Sequence, residues 1–412
     1  MSPAVSPARR PNRRWVRVLL RLSVFVVLTG ILEMGLRVTL SQQGRTLPDP
    51  FVEVIPPGSE VTDSRTHHAA APNTRRVREP GVHDSFSPVV SETNAQGLRG
   101  PMPGPKQSPR VLVVGDSFIE ADEVAFEATI GERLNAEFDG RLEVVSHGVS
   151  SWAPTTEFSW IHHVGLTFEP DAVVLFLVFN DFFPADTYGR ADPAYQSEAL
   201  WRDGAPIEYV VPAEKQRRDS PTLTAWRTSA EALVRRSRVG VLAALGLQSI
   251  AAWWSPPLSE QAPTLFFAQP RAQWPRVLRR SVDDTLTVVV RLNEYLRQRG
   301  VALRVTMVPS GFNWPDELMG VKDFDASWGQ IVEESGVSTD AYALSDQGLE
   351  VAVAERLVRE GVEWFSLRPA FASAKAAGSG LLYNEEDGHW NARGHRVVAD
   401  ALSPWLATLV DS

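Results

Sequence analysis

The sequence holds one serine, one histidine and two carboxylates in local settings that suit acyl chemistry. Gly115-Asp116-Ser117 follows the apolar run Arg110-Val111-Leu112-Val113-Val114. Gly115 lets the chain turn sharply, so Ser117 falls at a strand-to-helix junction beside the free N–H groups of the helix start. A hydroxyl there suits a nucleophile whose developing oxyanion needs preorganised donors. It suits a helix N-cap equally well. Near the C-terminal end, Glu386-Asp387-Gly388-His389 sets a histidine just before another helix. His389 can act as general base toward Ser117, with an adjacent carboxylate orienting its ring. Asp387 is two residues away, and Gly388 permits the tight turn that returns its carboxylate to the imidazole. Gly148 can present a backbone N–H to the same point, and Asn180 a side-chain amide; each also reads as a turn residue. His395, one turn further along the last helix, reads as a surface or packing residue.

These groups need an alternation of strands and helices to bring them together. Apolar runs predict strands at 110–114, 142–145, 172–178, 301–308 and 362–367. Amphipathic stretches predict helices at about 126–138, 154–165, 277–299, 346–360 and 392–409. Five strands separated by helices imply an α/β fold: a parallel sheet, right-handed crossovers and helices on both faces. The active residues of such a sheet lie beyond the carboxyl ends of its strands. Ser117, Gly148 and Asn180 all fall there. Neither a dinucleotide fingerprint nor a phosphate-binding loop follows the first strand.

The rest of the chain is unlike this domain. Residues 1–21 carry six arginines and no acid, so the formal −9 of the chain becomes −15 on the remaining 391 residues. The apolar stretch 22–40 follows, and nineteen helical residues reach about 28 Å against a hydrocarbon core of about 30 Å. Glu33 and Arg37 are four apart and can pair on one helix face. The basic flank predicts an uncleaved anchor with residues 1–21 in the cytoplasm and all that follows exported. Residues 41–108 hold ten of the thirty prolines and read as a tether, with a short ordered turn at Thr93–Gly100. Residues 183–275 interrupt the domain. They contain a hairpin turning at Asp203-Gly204 and the apolar run Val239–Trp254, expected as a lid or membrane-resting helix.

Composition closes other routes. The chain has no cysteine, which excludes disulfides, thiolate metal sites and a thiol nucleophile. Its acidic balance argues against general nucleic-acid binding. His67-His68 and His162-His163 lack the spacing of helical zinc ligands. No metal and no cofactor are expected.

Gly115-Asp116-Ser117, Gly148, Asn180-Asp181 and Asp387-Gly388-His389 stand in the order of the four blocks of the SGNH (GDSL-type) hydrolases. The chain resembles that family over about 109–410, and its Asn94–Gly100 segment resembles one in membrane-anchored bacterial members. The resemblance implies a flavodoxin-like three-layer α/β/α sandwich with a five-stranded parallel sheet, carrying here an N-terminal transmembrane helix and an inserted cap region. It implies Ser117 as nucleophile, His389 as base and Asp387 as its orienter. The Ser117 and Gly148 N–H groups and the Asn180 side chain then form the oxyanion hole. Many members space the acid as Asp-x-x-His, where this chain has Glu386; the anchored branch uses Asp-x-His, which favours Asp387 and holds Glu386 in reserve. Ser146 stands where asparagine is frequent, and Ile119–Glu123 is more acidic than usual. The expected protein is a bacterial inner-membrane enzyme with an exported catalytic domain. It would hydrolyse an ester on an envelope or exported glycan, or a small ester. O-acyl transfer to a polysaccharide by the same residues is the alternative, and a catalytically silent carbohydrate-binding or assembly component the third. No protein partner is legible.

Overall fold

The computed structural model describes residues 24, 28–39, 60–80, 86–182, 198–210, 234, 236–240, 242–243, 267, 270–309, 347–384 and 388–410. Four short strands come first: β1 (Glu60–Asp63), β2 (His67–Ala70), β3 (Arg75–Arg78) and β4 (Val89–Glu92). Then follow β5 (Arg110–Gly115), α1 (Ser117–Glu120), α2 (Ile130–Phe138), β6 (Glu143–Gly148), α3 (Pro154–His163) and β7 (Ala172–Leu177). A hairpin of β8 (Glu198–Arg202) and β9 (Ala205–Val210) precedes α4 (Arg276–Arg297), β10 (Ala302–Met307) and α5 (Gln347–Arg359). The chain ends with β11 (Glu363–Ser366), α6 (Arg368–Ala376) and α7 (Ala392–Ala407).

Five strands pair in parallel in the order β6-β5-β7-β10-β11. Numbered along the chain this is 2-1-3-4-5, the flavodoxin-like order, as expected. Alternate side chains divide the core into two layers. Leu112, Val114 and Leu175 pack with Phe158, Leu286 and Leu349 of α3, α4 and α5. Val111, Val113 and Val174 pack with Leu134, Phe371 and Val398 of α2, α6 and α7. Helices therefore cover both faces, and the strand order reverses direction between β5 and β7. The loops after these strands and after β6 form the rim where Ser117, Gly148 and Asn180 sit.

The chain separates into two compact units, one of residues 1–54 with 216–255 and one of residues 55–215 with 256–412. Within the smaller unit, residues 28–39 are helical and leave Leu28, Ile31, Leu32 and Met34 exposed. Glu33 and Arg37 pair at 2.7 Å, as their spacing predicts. Glu33 also accepts from the Ser237 hydroxyl (3.0 Å) and the Val239 N–H (2.9 Å), while Arg37 donates to the Arg236 carbonyl (2.7 Å). No helix among the described residues is long and apolar enough to cross a membrane. The basic head, part of the 22–40 stretch and most of Val239–Trp254 lie outside the described residues. In the larger unit, the β8–β9 hairpin forms with Asp203 (φ +51°) and Gly204 (φ +80°) at its turn, where the sequence puts it.

The expected tether is the main departure. Within 41–108, β1 pairs with β2 and β3 with β4, and both hairpins bond to the sandwich. Trp152 Nε1 donates to the His68 carbonyl (2.9 Å), and His68 Nε2 donates to Ser150 O (2.8 Å). Arg76, half-buried on β3, pairs with Glu120 at the end of α1 and with Asp122 just beyond it (2.6 Å). Arg99, in the Asn94–Gly100 turn, donates to the Ala121 and Val124 carbonyls. The segment carries little apolar periodicity because ion pairs and backbone bonds do much of the holding, and only scattered side chains such as Ala70 and Leu98 enter the core. Arg76→Ala strands two carboxylates in a buried site. It is expected to cost about 3–5 kcal/mol, the range for breaking one side of a buried pair, read as a lowered urea midpoint.

Candidate active site

Ser117 opens α1 directly after β5. The preceding Asp116 caps that helix by accepting from the Phe118 N–H (3.0 Å), so the cap is Asp116 and the serine hydroxyl is left for other work. It lies 2.7 Å from His389 Nε2, within reach for proton transfer, although the two residues are 272 apart in sequence. His389 is held on three sides. Its carbonyl accepts from the Asn384 N–H (2.7 Å), Gly388 before it takes φ +80°, and its ring lies 4.7 Å from that of Phe118. The following Trp390 is buried between Phe118 and Phe371 and pins the loop to the core. Asn391 then caps α7 through the Arg393 and Gly394 N–H groups.

Asp387 and Glu386 lie outside the described residues. The carboxylate found near His389 is Glu123, whose Oε1 is 3.8 Å from Nδ1 and 3.9 Å from Arg78 Nε. Sequence reasoning passed over it as one of a run of acids after Ser117. Its one signal was that acidic run, which a solvated face would explain as well.

The two expected oxyanion partners occupy the rim in different ways. Gly148 ends β6 opposite Gly115. A Cβ on it would stand 2.3 Å from Asp116 O and 2.4 Å from Glu120 N, so glycine is required there by the close approach of the Asp116–Glu120 turn. Three residues on, Ser151 takes φ +66°, a strained backbone for a residue with a Cβ. Its neighbours Ser150 and Trp152 donate their N–H groups to Glu120 Oε2 (2.8 Å) and Val149 O (3.1 Å). The Ser151 N–H has no acceptor among the described residues, which makes it a donor that sequence reading missed. Asn180 lies in the 3₁₀ turn Phe179–Phe182 after β7, with its side chain approaching the Asp116 carboxyl.

Burial dominates the electrostatics. It pushes Asp116 up to about 6, against the Phe118 N–H and His389, which favour the charged form. It pushes His147 down to about 4 and His395 down to about 3. His147 is enclosed by Trp152 and Trp160, and His395 packs on Trp390 as expected. His163 bonds the Ile207 carbonyl (3.0 Å) and His162 the Tyr295 hydroxyl. A cavity of about 1060 Å³ opens beside the histidine loop, lined by Phe86, Arg99, Glu123, Phe126, Asn384 and Arg393 among others.

No protein-family model matches the chain, and no curated protein matches it. Among solved structures, it is similar to a member of the lipolytic G-D-S-L family from Veillonella parvula. The identity is 9% and the TM-score 0.36, over 73% of this chain and 99% of that one. An acetyl xylan esterase is 12% identical, with a TM-score of 0.34 over 72% of this chain and 98% of that one. A carbohydrate acetylesterase family member from Sinorhizobium meliloti is 11% identical, at 0.34 over 74% and 100%. Likenesses this distant carry no inference about chemistry, which is read from the residues themselves.

The raised Asp116 predicts a pH effect. Between its ordinary 3.8 and about 6, the folded chain holds a proton that the unfolded chain has released. Its contribution to stability therefore falls as pH rises through that window. Urea midpoints measured from about pH 4 to pH 7 should decline less in Asp116→Asn than in the parent.

Proposed function

We propose that the chain is a serine hydrolase of SGNH type that cleaves esters through Ser117, His389 and Asp387. The observation that carries this reading is the 2.7 Å approach of Ser117 Oγ to His389 Nε2 at the carboxyl end of the sheet. His389 takes the Ser117 proton as Oγ attacks the ester carbonyl. The tetrahedral oxyanion is met by the Ser117 N–H and the Asn180 amide, with a third donor from the segment after β6, at Gly148 or Ser151. Collapse expels the alcohol, which leaves with the proton from His389. Water, deprotonated in turn by His389, then attacks the acyl-enzyme and releases the acid. Asp387 orients the imidazole, and Glu123 adds a second negative charge on its Nδ1 side.

The substrate class we infer is an O-acylated glycan of the envelope or an exported polysaccharide. The cavity lined by Glu123, Asn384 and Asn391, which adjoins the histidine loop without including His389 or Ser117 in its lining, has room for a ligand larger than a simple ester. A sugar hydroxyl replacing water at the second step would make the same site an acyltransferase. The arginine-rich head followed by the apolar 22–40 stretch supports anchoring in a bacterial inner membrane, with the catalytic unit on the outer side.

A fluorophosphonate probe should label the parent chain and fail on Ser117→Ala, whose kcat should fall on the order of 10⁶-fold. A folded parent that resists labelling would favour the silent binding component instead. Asp387→Asn should lower kcat by about 10³–10⁴-fold, with smaller losses for Glu386→Gln and Glu123→Gln. The reverse ranking would move the orienting role to one of the glutamates.

A further inference from the structure

Three arginines from outside the sandwich hold the loop that carries Glu123. On β3, Arg76 and Arg78 share the half-buried face, while Arg75 and Val77 are exposed. Antiparallel pairing sets Arg76 opposite Ser91 and Arg78 opposite Val89, both buried on β4. Asp122, on one side of Glu123, pairs with Arg76 (2.6 Å). On the other side, the Val124 carbonyl accepts from Arg99 (2.7 Å). Glu123 itself is buried, and its Oε1 stands 3.9 Å from Arg78 Nε and 3.8 Å from His389 Nδ1. One carboxylate oxygen is thus shared by a cation of the N-terminal hairpin and the ring whose other nitrogen faces Ser117 (2.7 Å).

The charge balance gives that arginine a purpose. With Asp387 as the orienter proposed above, Glu123 is a second acid beside one imidazole. Two negative charges favour the protonated ring, which cannot accept the Ser117 proton. A guanidinium stays charged at any working pH, so Arg78 offsets one of the two without titrating itself. Burial of Glu123 leaves this interaction little screened by salt. Other titratable groups also act here. Asp116, directly after β5, and His395 on α7 interact electrostatically with His389. Glu157 on α3 and Asp181, both buried, interact with Asp116. The variants below leave all four in place.

We propose that Arg78 is a positioning residue that acts on His389 through Glu123. It holds Glu123 Oε1 beside the imidazole and offsets its charge, so that the ring remains a neutral base near neutral pH. A strand outside the sandwich thereby completes the site. This rests on the serine-hydrolase reading for its effect on turnover, and on the two ion-pair distances for its effect on the ring.

The test reads two midpoints in the full chain. One is the acid limb of kcat/KM against pH with p-nitrophenyl acetate. The other is the titration of the His389 ring by nitrogen NMR, its signal assigned by loss in H389Q. R78Q removes a positive charge and should raise both midpoints by about one pH unit. R78K keeps the charge and should return them to the parental values. E123Q removes a negative charge and should lower both by about one pH unit. In the E123Q background, R78Q should move them much less, since the charge it offsets is gone. A downward or absent shift in R78Q, R78K as displaced as R78Q, or an undiminished shift in the E123Q background would each overturn the proposal. Should R78Q fail to fold, E123Q decides, and a midpoint that is not lowered there overturns the proposal equally. If the parent turns over no ester and takes no fluorophosphonate, the hydrolase reading fails, while the ring titration still decides the role of Arg78.

Discussion

The carboxylate of Glu120 holds three parts of the molecule together. One of its oxygens is bound by Arg76 of the N-terminal hairpin, and the other by the backbone N–H and hydroxyl of Ser150. Its own helix begins with Ser117. A single buried carboxylate thus fixes the distance between the Ser117 turn and the loop after β6. That distance is short enough that Gly148 has no room for a side chain. The αL backbone of Ser151 is a downstream result: the turn is pinned at Ser150 by Glu120 and His68 and at Trp152 by its own hydrogen bonds, so the residue between must bend. Unsupported, this rim would relax, and its donors would no longer converge.

How legible each part is in the sequence depends on what buries it. The sheet strands are covered on both faces, so Val111–Val114 and Ala172–Leu177 appear as unbroken apolar runs, and the 2-1-3-4-5 order follows from short connections. Strand β3 reads Arg-Arg-Val-Arg, and its half-buried members are Arg76 and Arg78 rather than the exposed Val77. Burial by charge pairing leaves no hydrophobic period to find, so the hairpins read as tether. Helix α6 escaped for a related reason, being nine residues long with only Phe371 fully inside.

The site divides in the same way. Ser117 and His389 are legible because glycine, serine and histidine at strand and helix ends have few competing explanations once they occur in order. Glu123 and Glu157 are not. A glutamate in Thr-Thr-Glu-Phe-Ser-Trp reads as the wet side of a helix, and only the packing of α3 against the sheet reveals that it is fully enclosed. The sequence pattern therefore marks Ser117 and His389 better than it marks the buried carboxyls around them.

The smaller unit is assembled from two separate stretches, residues 1–54 and 216–255, and Glu33 with Arg37 joins them. The larger unit is consequently linked to it through three passages of the polypeptide, at 54–55, 215–216 and 255–256, rather than one. Proteolysis at a single passage leaves the two units covalently joined through the other two. A cut at 54–55 leaves residues 1–54 tied to the rest only through noncovalent bonds to 216–255, among them those of Glu33 and Arg37.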